Sequence, residues 1–190
     1  MKNLYLMSGP NGAGKTTASL QILPKFLQVY EYVNADEIAR GISPFNPEFV
    51  AIQAGKIMLK RLDYLANLGI DFAFESTLSG RNYLKFLRKC QNLGYTVNII
   101  YFWLQTPELA IERVQRRVES GGHNIPENVI RRRYEKGLKN LIDFYLPLCD
   151  TWIIYDNSLF YPIIVAEKVI NEDTIIYINE TWNKLIKGVN

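Results

Sequence analysis

Residues 9–17 of this 190-residue chain read Gly9-Pro10-Asn11-Gly12-Ala13-Gly14-Lys15-Thr16-Thr17. The stretch follows a short apolar run, Asn3–Met7, and precedes a helical pattern that ends near Pro24. Small residues and glycines allow consecutive backbone N–H groups to turn toward phosphate oxygens, and a helix N-terminus adds a favourable partial charge. The stretch therefore predicts a phosphate-binding loop between a strand and a helix.

The spacing Gly-x-x-x-x-Gly-Lys-Thr within this loop is the full Walker A motif. We expect all of residues 9–17 to contact a nucleotide, with Lys15 on its β- and γ-phosphates and the Thr16 hydroxyl on Mg²⁺. The alternative is a glycine-rich turn that matches by chance. The strand-like and helical sequence on either side of the loop disfavours that alternative.

Apolar strand-like runs alternate with amphipathic helical patterns along the rest of the chain. Four further strands are expected at Val29–Val33, Ile70–Phe74, Thr96–Leu104 and Thr151–Tyr155. This alternation predicts an α/β protein built on a mainly parallel five-stranded sheet, and the Walker A loop after its first strand predicts the three-layer P-loop NTPase fold.

The C-terminal part of the chain is expected to add a hairpin and a helix to this fold. Tyr161–Val165 and Thr174–Ile178 are predicted to pair, and Glu180–Lys187 to form the last helix. There is no tandem repeat or Ser/Pro-rich linker in the sequence. We therefore expect residues 1–190 to form a single P-loop kinase domain, with a helical lid around residues 107–135.

Composition excludes several classes of protein. With 48% hydrophobic and 22% charged residues the chain is near the globular average, which excludes wholesale disorder. No apolar run approaches the roughly 18 residues of a membrane span, and Met1 leads directly into a strand, so we expect no signal peptide. The sequence has only two cysteines, Cys90 and Cys149, which are too few for a disulfide framework, so we expect a reducing cytoplasm. Its single histidine, His123, excludes metal sites built from several histidines.

Two acidic residues stand at predicted strand ends, where ligands bind in open α/β sheets. Asp36 follows the second strand and is a candidate to accept a proton from a substrate hydroxyl. The alternative for Asp36 is an N-cap of the following helix. Glu75 follows the apolar third strand, where it is suited to hold a magnesium-bound water or a substrate hydroxyl. A carboxylate at such a buried position needs a partner or a function.

Arginines flank the glycine pair Gly121-Gly122 on both sides. Three lie before it at helical spacing, and three lie consecutively after it: Arg113, Arg116, Arg117, Arg131, Arg132 and Arg133. These two segments are the predicted lid, which would close over phosphates and exclude water. For Arg116 and Arg131 we expect a solvated surface position instead.

Two polar segments admit both a structural and a functional interpretation. His123 lies in the predicted hinge, where we expect a loop hydrogen bond rather than base catalysis. The triplet Asp156-Asn157-Ser158 follows the fifth strand, where such folds contact the nucleotide base, and we predict Asn157 as a nucleotide contact. A simple turn is an equal alternative for this triplet.

The combination of these segments resembles the zeta-toxin family of P-loop kinases. The resembling segments are the loop at 9–17, Asn34-Ala35-Asp36, Phe74-Glu75-Ser76-Thr77, and Gly121–Pro126 leading into Arg131–Tyr134. The resemblance implies that Asp36 is the catalytic base, that Lys15, Arg117 and Arg133 act on the phosphates, and that Glu75 and Thr77 bind substrate. It also implies transfer from ATP or GTP, with Mg²⁺, to a hydroxyl of UDP-N-acetylglucosamine-type sugars, and a small antitoxin as partner.

The leading prediction is therefore an ATP-dependent kinase of a small-molecule hydroxyl. A nucleoside or polynucleotide-end kinase is a second possibility, although the net charge of only +3 and the lack of a basic stripe with aromatic residues argue against nucleic acid. A third is a nucleotide-gated interaction module. Such a module needs no acid on the acceptor side, whereas a kinase needs one.

Overall fold

The five strands predicted from the alternating pattern form the parallel part of one sheet. The computed structural model describes residues 2–122 and 124–188. The parallel strands are β1 (Lys2–Ser8), β2 (Tyr32–Val33), β3 (Phe72–Ser76), β4 (Tyr95–Trp103) and β5 (Thr151–Asp156). Two antiparallel strands, β6 (Ile163–Lys168) and β7 (Ile175–Ile176), extend the sheet beyond β5, giving the order β2-β3-β1-β4-β5-β6-β7. The predicted α/β class, parallel sheet and C-terminal hairpin are confirmed.

Helices cover both faces of this sheet. They are α1 (Lys15–Lys25), α2 (Ala35–Ile42), α3 (Ala51–Leu68), α4 (Leu84–Asn92), α5 (Pro107–Glu119), α6 (Glu127–Asn140), α7 (Leu146–Leu148) and α8 (Asn179–Lys187). A 3₁₀ turn, Pro47–Val50, precedes α3, and a π-helical turn, Leu141–Tyr145, joins α6 to α7. None of the helices in the described part of the chain is long and apolar enough to cross a membrane.

Burial on both faces explains why the central strands are almost continuously apolar. Leu4 and Leu6 of β1 and Phe72 and Phe74 of β3 have no exposed surface. They belong to one core cluster, and Met7 and Ala73 belong to a second cluster. A parallel sheet covered by helices on both sides requires this pattern.

Two strand boundaries differ from their predictions. Strand β2 is only two residues long, and the N–H of Val29, the first residue of the predicted strand, bonds instead to the carbonyl of Leu23 near the end of α1. Glu75 lies inside β3 rather than beyond it, and pairs in register with Met7. The end of α3 is as predicted, with Gly69 in the left-handed conformation at a φ of 72°.

The C-terminal helix packs on the same core as the parallel strands. Leu185 of α8 is fully buried, and the ring of Trp182 stacks on Trp152 of β5 at 5.9 Å between centroids. Both contacts tie α8 to the side of the sheet that carries the larger core cluster. The segment that follows β5 is thus an integral part of the folded body.

Truncation of Leu185 tests whether α8 contributes to global stability. We expect Leu185→Ala to lower the free energy of unfolding by about 2–5 kcal/mol, because it leaves a cavity at a fully buried site. Leu20→Ala, at a side chain that is 63% exposed, should change it by less than about 0.5 kcal/mol. Urea denaturation measures both. Equal, small effects would mean that α8 unfolds independently of the sheet.

Candidate active site

The loop between β1 and α1 requires its glycines for steric reasons. A Cβ on Gly9 would lie 2.3 Å from the carbonyl oxygen of Phe102, and one on Gly12 would lie 2.8 Å from that of Ala110. Both residues also have positive φ, 141° and 76°. The loop therefore packs closely against β4 and α5, and these contacts fix its backbone conformation without a ligand.

The nine residues predicted to contact a nucleotide lie together in this loop and in the first turn of α1. Lys15 is the first residue of α1, and Gly14 before it has a φ of 79°. Some of the nine are buried and some are accessible: Gly9, Pro10, Asn11, Ala13 and Lys15 are buried, Gly12 and Thr16 are half-buried, and Gly14 and Thr17 are exposed. An open rim over a buried base suits an anion that is bound by backbone N–H groups.

The ammonium group of Lys15 lies inside the curve of the loop. Its Nζ donates a hydrogen bond to the carbonyl of Pro10 at 2.9 Å and lies 3.6 Å from Oε1 of Glu75. The Lys15 side chain is only 6% exposed. One carbonyl and one carboxylate thus hold this buried cation, in a position that suits a negatively charged ligand.

Glu75 connects three elements through a single oxygen. Its Oε2 accepts hydrogen bonds from the Thr16 hydroxyl at 2.8 Å, the Tyr32 hydroxyl at 2.5 Å and the Asn34 amide at 3.1 Å. Burial, and then the charge of Glu75, raise the pKa of Tyr32. Tyr32 therefore stays protonated as a donor throughout the neutral range.

Tyr32 and Asn34 are site residues that the sequence-based prediction missed. The available signal was their position: Tyr32 lies in β2, next to β3 in the sheet, and Asn34 follows directly. Polar residues at the carboxyl end of a neighbouring strand reach the same ligand region as Glu75.

Thr16 and Glu75 offer the kind of oxygen ligands that Mg²⁺ takes. The two side chains are already hydrogen-bonded to each other, so a cation bridging to phosphates would meet both. Among residues 2–122 and 124–188 no group of three or more His, Cys, Asp or Glu side chains is arranged to hold a metal ion. Mg²⁺ in proteins is usually held by one or two protein oxygens together with water and substrate phosphates.

Asp36 is not the cap of the helix that it belongs to. The cap of α2 is Asn34, whose side-chain oxygen accepts a hydrogen bond from the Asp36 N–H at 2.8 Å. The capping interpretation of Asp36 is therefore wrong, because an Asx turn two residues earlier already satisfies the helix N-terminus. The Asp36 side chain is exposed and lines two adjoining cavities.

The first cavity, here called the loop cavity, has a volume of about 330 Å³. Residues of the phosphate loop, of the start of α2 and of the segment that follows β3 line it together. Its polar lining includes Asn11, Lys15, Asp36, Glu75, Thr77, Ser79 and Arg133. Three of the predicted catalytic groups, Lys15, Asp36 and Arg133, thus meet at one space. The predicted substrate contacts Glu75 and Thr77 meet there as well.

The second cavity, here called the arginine cavity, has a volume of about 320 Å³ and shares Asp36 and Arg133 with the first. Its charged lining comes from α2, the turn before α3, α5 and α6: Asp36, Arg40, Glu48, Arg117, Arg132 and Arg133. Arg40 and Arg132 were not predicted as site residues. Arg40 is four residues after Asp36 on α2, a spacing that places both on one face of the helix.

Two of the lid arginines lie at the surface, as predicted. Arg116 and Arg131 are exposed and form ion pairs with Glu112 and Glu108. Arg117 is half-buried, and this burial lowers its pKa although the charge of Asp36 opposes the shift. Arg117 and Asp36 both line the arginine cavity, so their opposite charges border the same space.

The segment after β5 is hydrogen-bonded to the phosphate loop. The Asn157 amide donates a hydrogen bond to the carbonyl of Ala13 at 2.8 Å, and the Asp156 carboxylate accepts one from the Ser158 N–H at 2.9 Å. The second of these bonds forms a turn, which is the structural alternative given for this triplet. Contact of Asn157 with a nucleotide base stays a prediction, and His123 lies outside the described residues.

The family model for zeta toxins matches residues 1–158. The chain belongs to the zeta-toxin family. A curated relative, an uncharacterized protein of Haemophilus influenzae, is 34% identical over 128 residues, covering 66% of this zeta-toxin-family chain and 88% of that protein.

Two solved structures share the fold of this zeta-toxin-family chain. One, from the PezAT chromosomal toxin–antitoxin system of Streptococcus pneumoniae, is 19% identical with a TM-score of 0.66 and covers 99% of this chain and 84% of that chain. The other, AvrRxo1-ORF1:ORF2 with ATP, is 16% identical with a TM-score of 0.78 and covers 97% of this chain. This chain spans only 63% of the length of that AvrRxo1 chain. The P-loop kinase fold is thereby confirmed.

The contact between Tyr32 and Glu75 predicts a specific alkaline sensitivity. A tyrosine whose pKa is raised on folding contributes stability that is present below about pH 10, where the unfolded residue ionises, and that is lost as pH rises toward the folded pKa. Between pH 10 and 11 the wild type should therefore lose about 1 kcal/mol more unfolding free energy than Tyr32→Phe.

Urea denaturation at pH 8, 10 and 11 measures this difference. Tyr30→Phe, which removes the hydroxyl of a side chain that is 78% exposed, is the matched control and should follow the wild type. Parallel curves for Tyr32→Phe and the wild type would contradict the assignment of Tyr32 as a protonated donor to Glu75.

Proposed function

We propose that this zeta-toxin-family chain is a kinase that transfers the γ-phosphate of ATP to a hydroxyl of a small molecule, with UDP-N-acetylglucosamine-type sugars as the leading acceptor class. The observation that carries the proposal is the loop cavity, whose lining includes both Lys15 and Asp36. Lys15 is suited to the phosphate side, and Asp36 is suited to the hydroxyl side.

The phosphate side rests on the loop at 9–17. Its backbone N–H groups and the N-terminus of α1 bind the phosphates, and Lys15 neutralises charge on the β- and γ-phosphates. Thr16 and Glu75, the latter through water, would hold Mg²⁺, which supplies further neutralisation of phosphate charge when bound. Asn157 keeps Ala13, and with it the loop, in place.

Proton transfer on the acceptor side is assigned to Asp36. Its carboxylate accepts the proton of the acceptor hydroxyl while that oxygen forms a bond to the γ-phosphorus. The bond from the γ-phosphorus to the bridging oxygen breaks at the same time, and ADP leaves with the electron pair. Arg117 and Arg133 stabilise the charge on the transferring phosphoryl group, and Thr77 binds the acceptor.

The arginine cavity argues for an acceptor that is itself anionic. Its lining carries four guanidinium groups against the carboxylates of Asp36 and Glu48. Its apolar lining from Ile125, Pro126 and Val129 suits a ring or a sugar face. A nucleotide sugar combines a diphosphate with several hydroxyls. The diphosphate matches the positive charge of the arginines, and a hydroxyl matches the proposed proton acceptor Asp36.

The domain organisation and the partner belong to the same proposal. Residues 1–190 act as one domain, in which α5 and α6, within the lid segment 107–135, bring Arg117 and Arg133 to the phosphates. The PezAT structure comes from a toxin–antitoxin system. A small antitoxin protein is accordingly the partner proposed for this chain. A nucleotide-gated interaction module would leave the exposed Asp36 at the cavity without a role.

Transfer of radiolabelled γ-phosphate tests the proposal. We expect label from ATP on UDP-N-acetylglucosamine, in a panel that also contains nucleosides, amino sugars and oligonucleotides, with GTP tested as an alternative donor. Nucleotide binding without transfer to any member of the panel would contradict the kinase assignment. Transfer to oligonucleotide ends alone would favour the polynucleotide kinase.

Replacement of Asp36 tests its role as the base. Asp36→Asn should reduce transfer at least about 100-fold, because an amide cannot accept the hydroxyl proton, while the Kd for ATP changes less than about twofold. Asp63→Asn, at an exposed residue of α3 that pairs with Lys89, is the control and should remain active. Normal turnover by Asp36→Asn would remove Asp36 as the base.

A further inference from the structure

One face of α6 lies against the segment that follows β3. Arg133, Gly137 and Asn140 are spaced by four and three residues, which places them on the same side of the helix. The segment opposite them, Thr77–Arg81, is here called the β3–α4 loop. Arg133 and three residues of this loop, Thr77, Ser79 and Gly80, all line the loop cavity.

Gly137 allows the helix backbone to touch the loop backbone. A Cβ at this position would lie 2.4 Å from the carbonyl oxygen of Thr77. At Gly137 the backbones of α6 and the loop are therefore in close contact, and any larger residue must push the two apart. In contrast, a Cβ on Gly55, in the middle of α3, would meet nothing within 4 Å.

Asn140 connects to the loop through both ends of its amide. Its Nδ2 donates a hydrogen bond to the carbonyl of Leu78 at 2.8 Å, and its Oδ1 accepts one from Nε of Arg81 at 3.0 Å. Asn140 is only 6% exposed. Just beyond it, in the π-helical turn, the Tyr145 hydroxyl donates to the carbonyl of Gly80 at 2.8 Å. Such turns in helices are frequent at functional sites.

The loop adopts a conformation that needs this support. Leu78 has a φ of 56°, in the left-handed region that a non-glycine residue rarely occupies, and its side chain is fully buried. Contacts from α6 and its π-helical turn reach the carbonyls of Thr77, Leu78 and Gly80, that is, both sides of the strained residue. The loop is therefore shaped by α6 as well as by its own sequence.

We propose that Gly137 and Asn140 are positioning residues that hold the β3–α4 loop in fixed register with Arg133. Because one helix carries Arg133 and anchors the loop, the guanidinium and the Thr77 side of the cavity keep a fixed separation. Gly137 and Asn140 thereby determine how tightly the acceptor binds, although neither residue touches it. The proposal rests on the proposed function only for the identity of that acceptor.

Hydrogen exchange measures the anchoring directly and requires no ligand. In Gly137→Ala and Asn140→Ala, amides of residues 77–83 should exchange at least tenfold faster than in the wild type, while those of residues 9–16 exchange at the wild-type rate. Gly55→Ala and Asn128→Ala, at an exposed position of the first turn of α6, are the matched controls and should leave both regions unchanged. If Asn140→Ala does not fold, Tyr145→Phe, which removes a single hydroxyl, takes its place.

Steady-state kinetics separate positioning from general loosening of the fold. With UDP-N-acetylglucosamine as acceptor, both variants should raise its KM at least tenfold while the KM for ATP changes less than twofold. The proposal is overturned by unchanged exchange in residues 77–83, by an unchanged acceptor KM, or by equal changes in both KM values. If the wild type does not phosphorylate this acceptor, that result counts against the proposed function, and the exchange data alone decide the proposal.

Discussion

The organisation of the site depends on one buried carboxylate. Glu75 is only 11% exposed, and a charge at that depth is strongly unfavourable unless it is paired and hydrogen-bonded. Lys15 supplies the opposite charge, and Thr16, Tyr32 and Asn34 supply the hydrogen bonds. These donors come from α1, β2 and the entry to α2, so satisfying Glu75 fixes the positions of the phosphate loop and of the element that carries Asp36.

The parts of the site that could be predicted are those that local sequence determines. Gly9, Gly14 and Lys15 follow one another in a loop whose function depends on the backbone, so their spacing alone identifies it. The strand and helix order also followed from periodicity, which reports burial within each segment. Asp36 was found because strand ends face ligands in this class of sheet.

The parts that could not be predicted depend on which segments become neighbours. Tyr32 and Asn34 bond to Glu75 across 43 and 41 residues of sequence, a contact that exists only because β2 pairs with β3. Asp36 was given a capping alternative because its place at a helix start allowed it, whereas the choice of Asn34 depends on the local turn geometry. Arg40 and Arg132 join one cavity from different helices, and no spacing rule connects them.

Both edges of the seven-stranded sheet end in a strand of only two residues, β2 on one side and β7 on the other. So short an edge exposes few unpaired N–H and C=O groups, and an incoming extended peptide would gain few main-chain hydrogen bonds there. Strand addition at β2 or β7 itself is thus disfavoured, whether by another copy of the chain during aggregation or by a foreign segment.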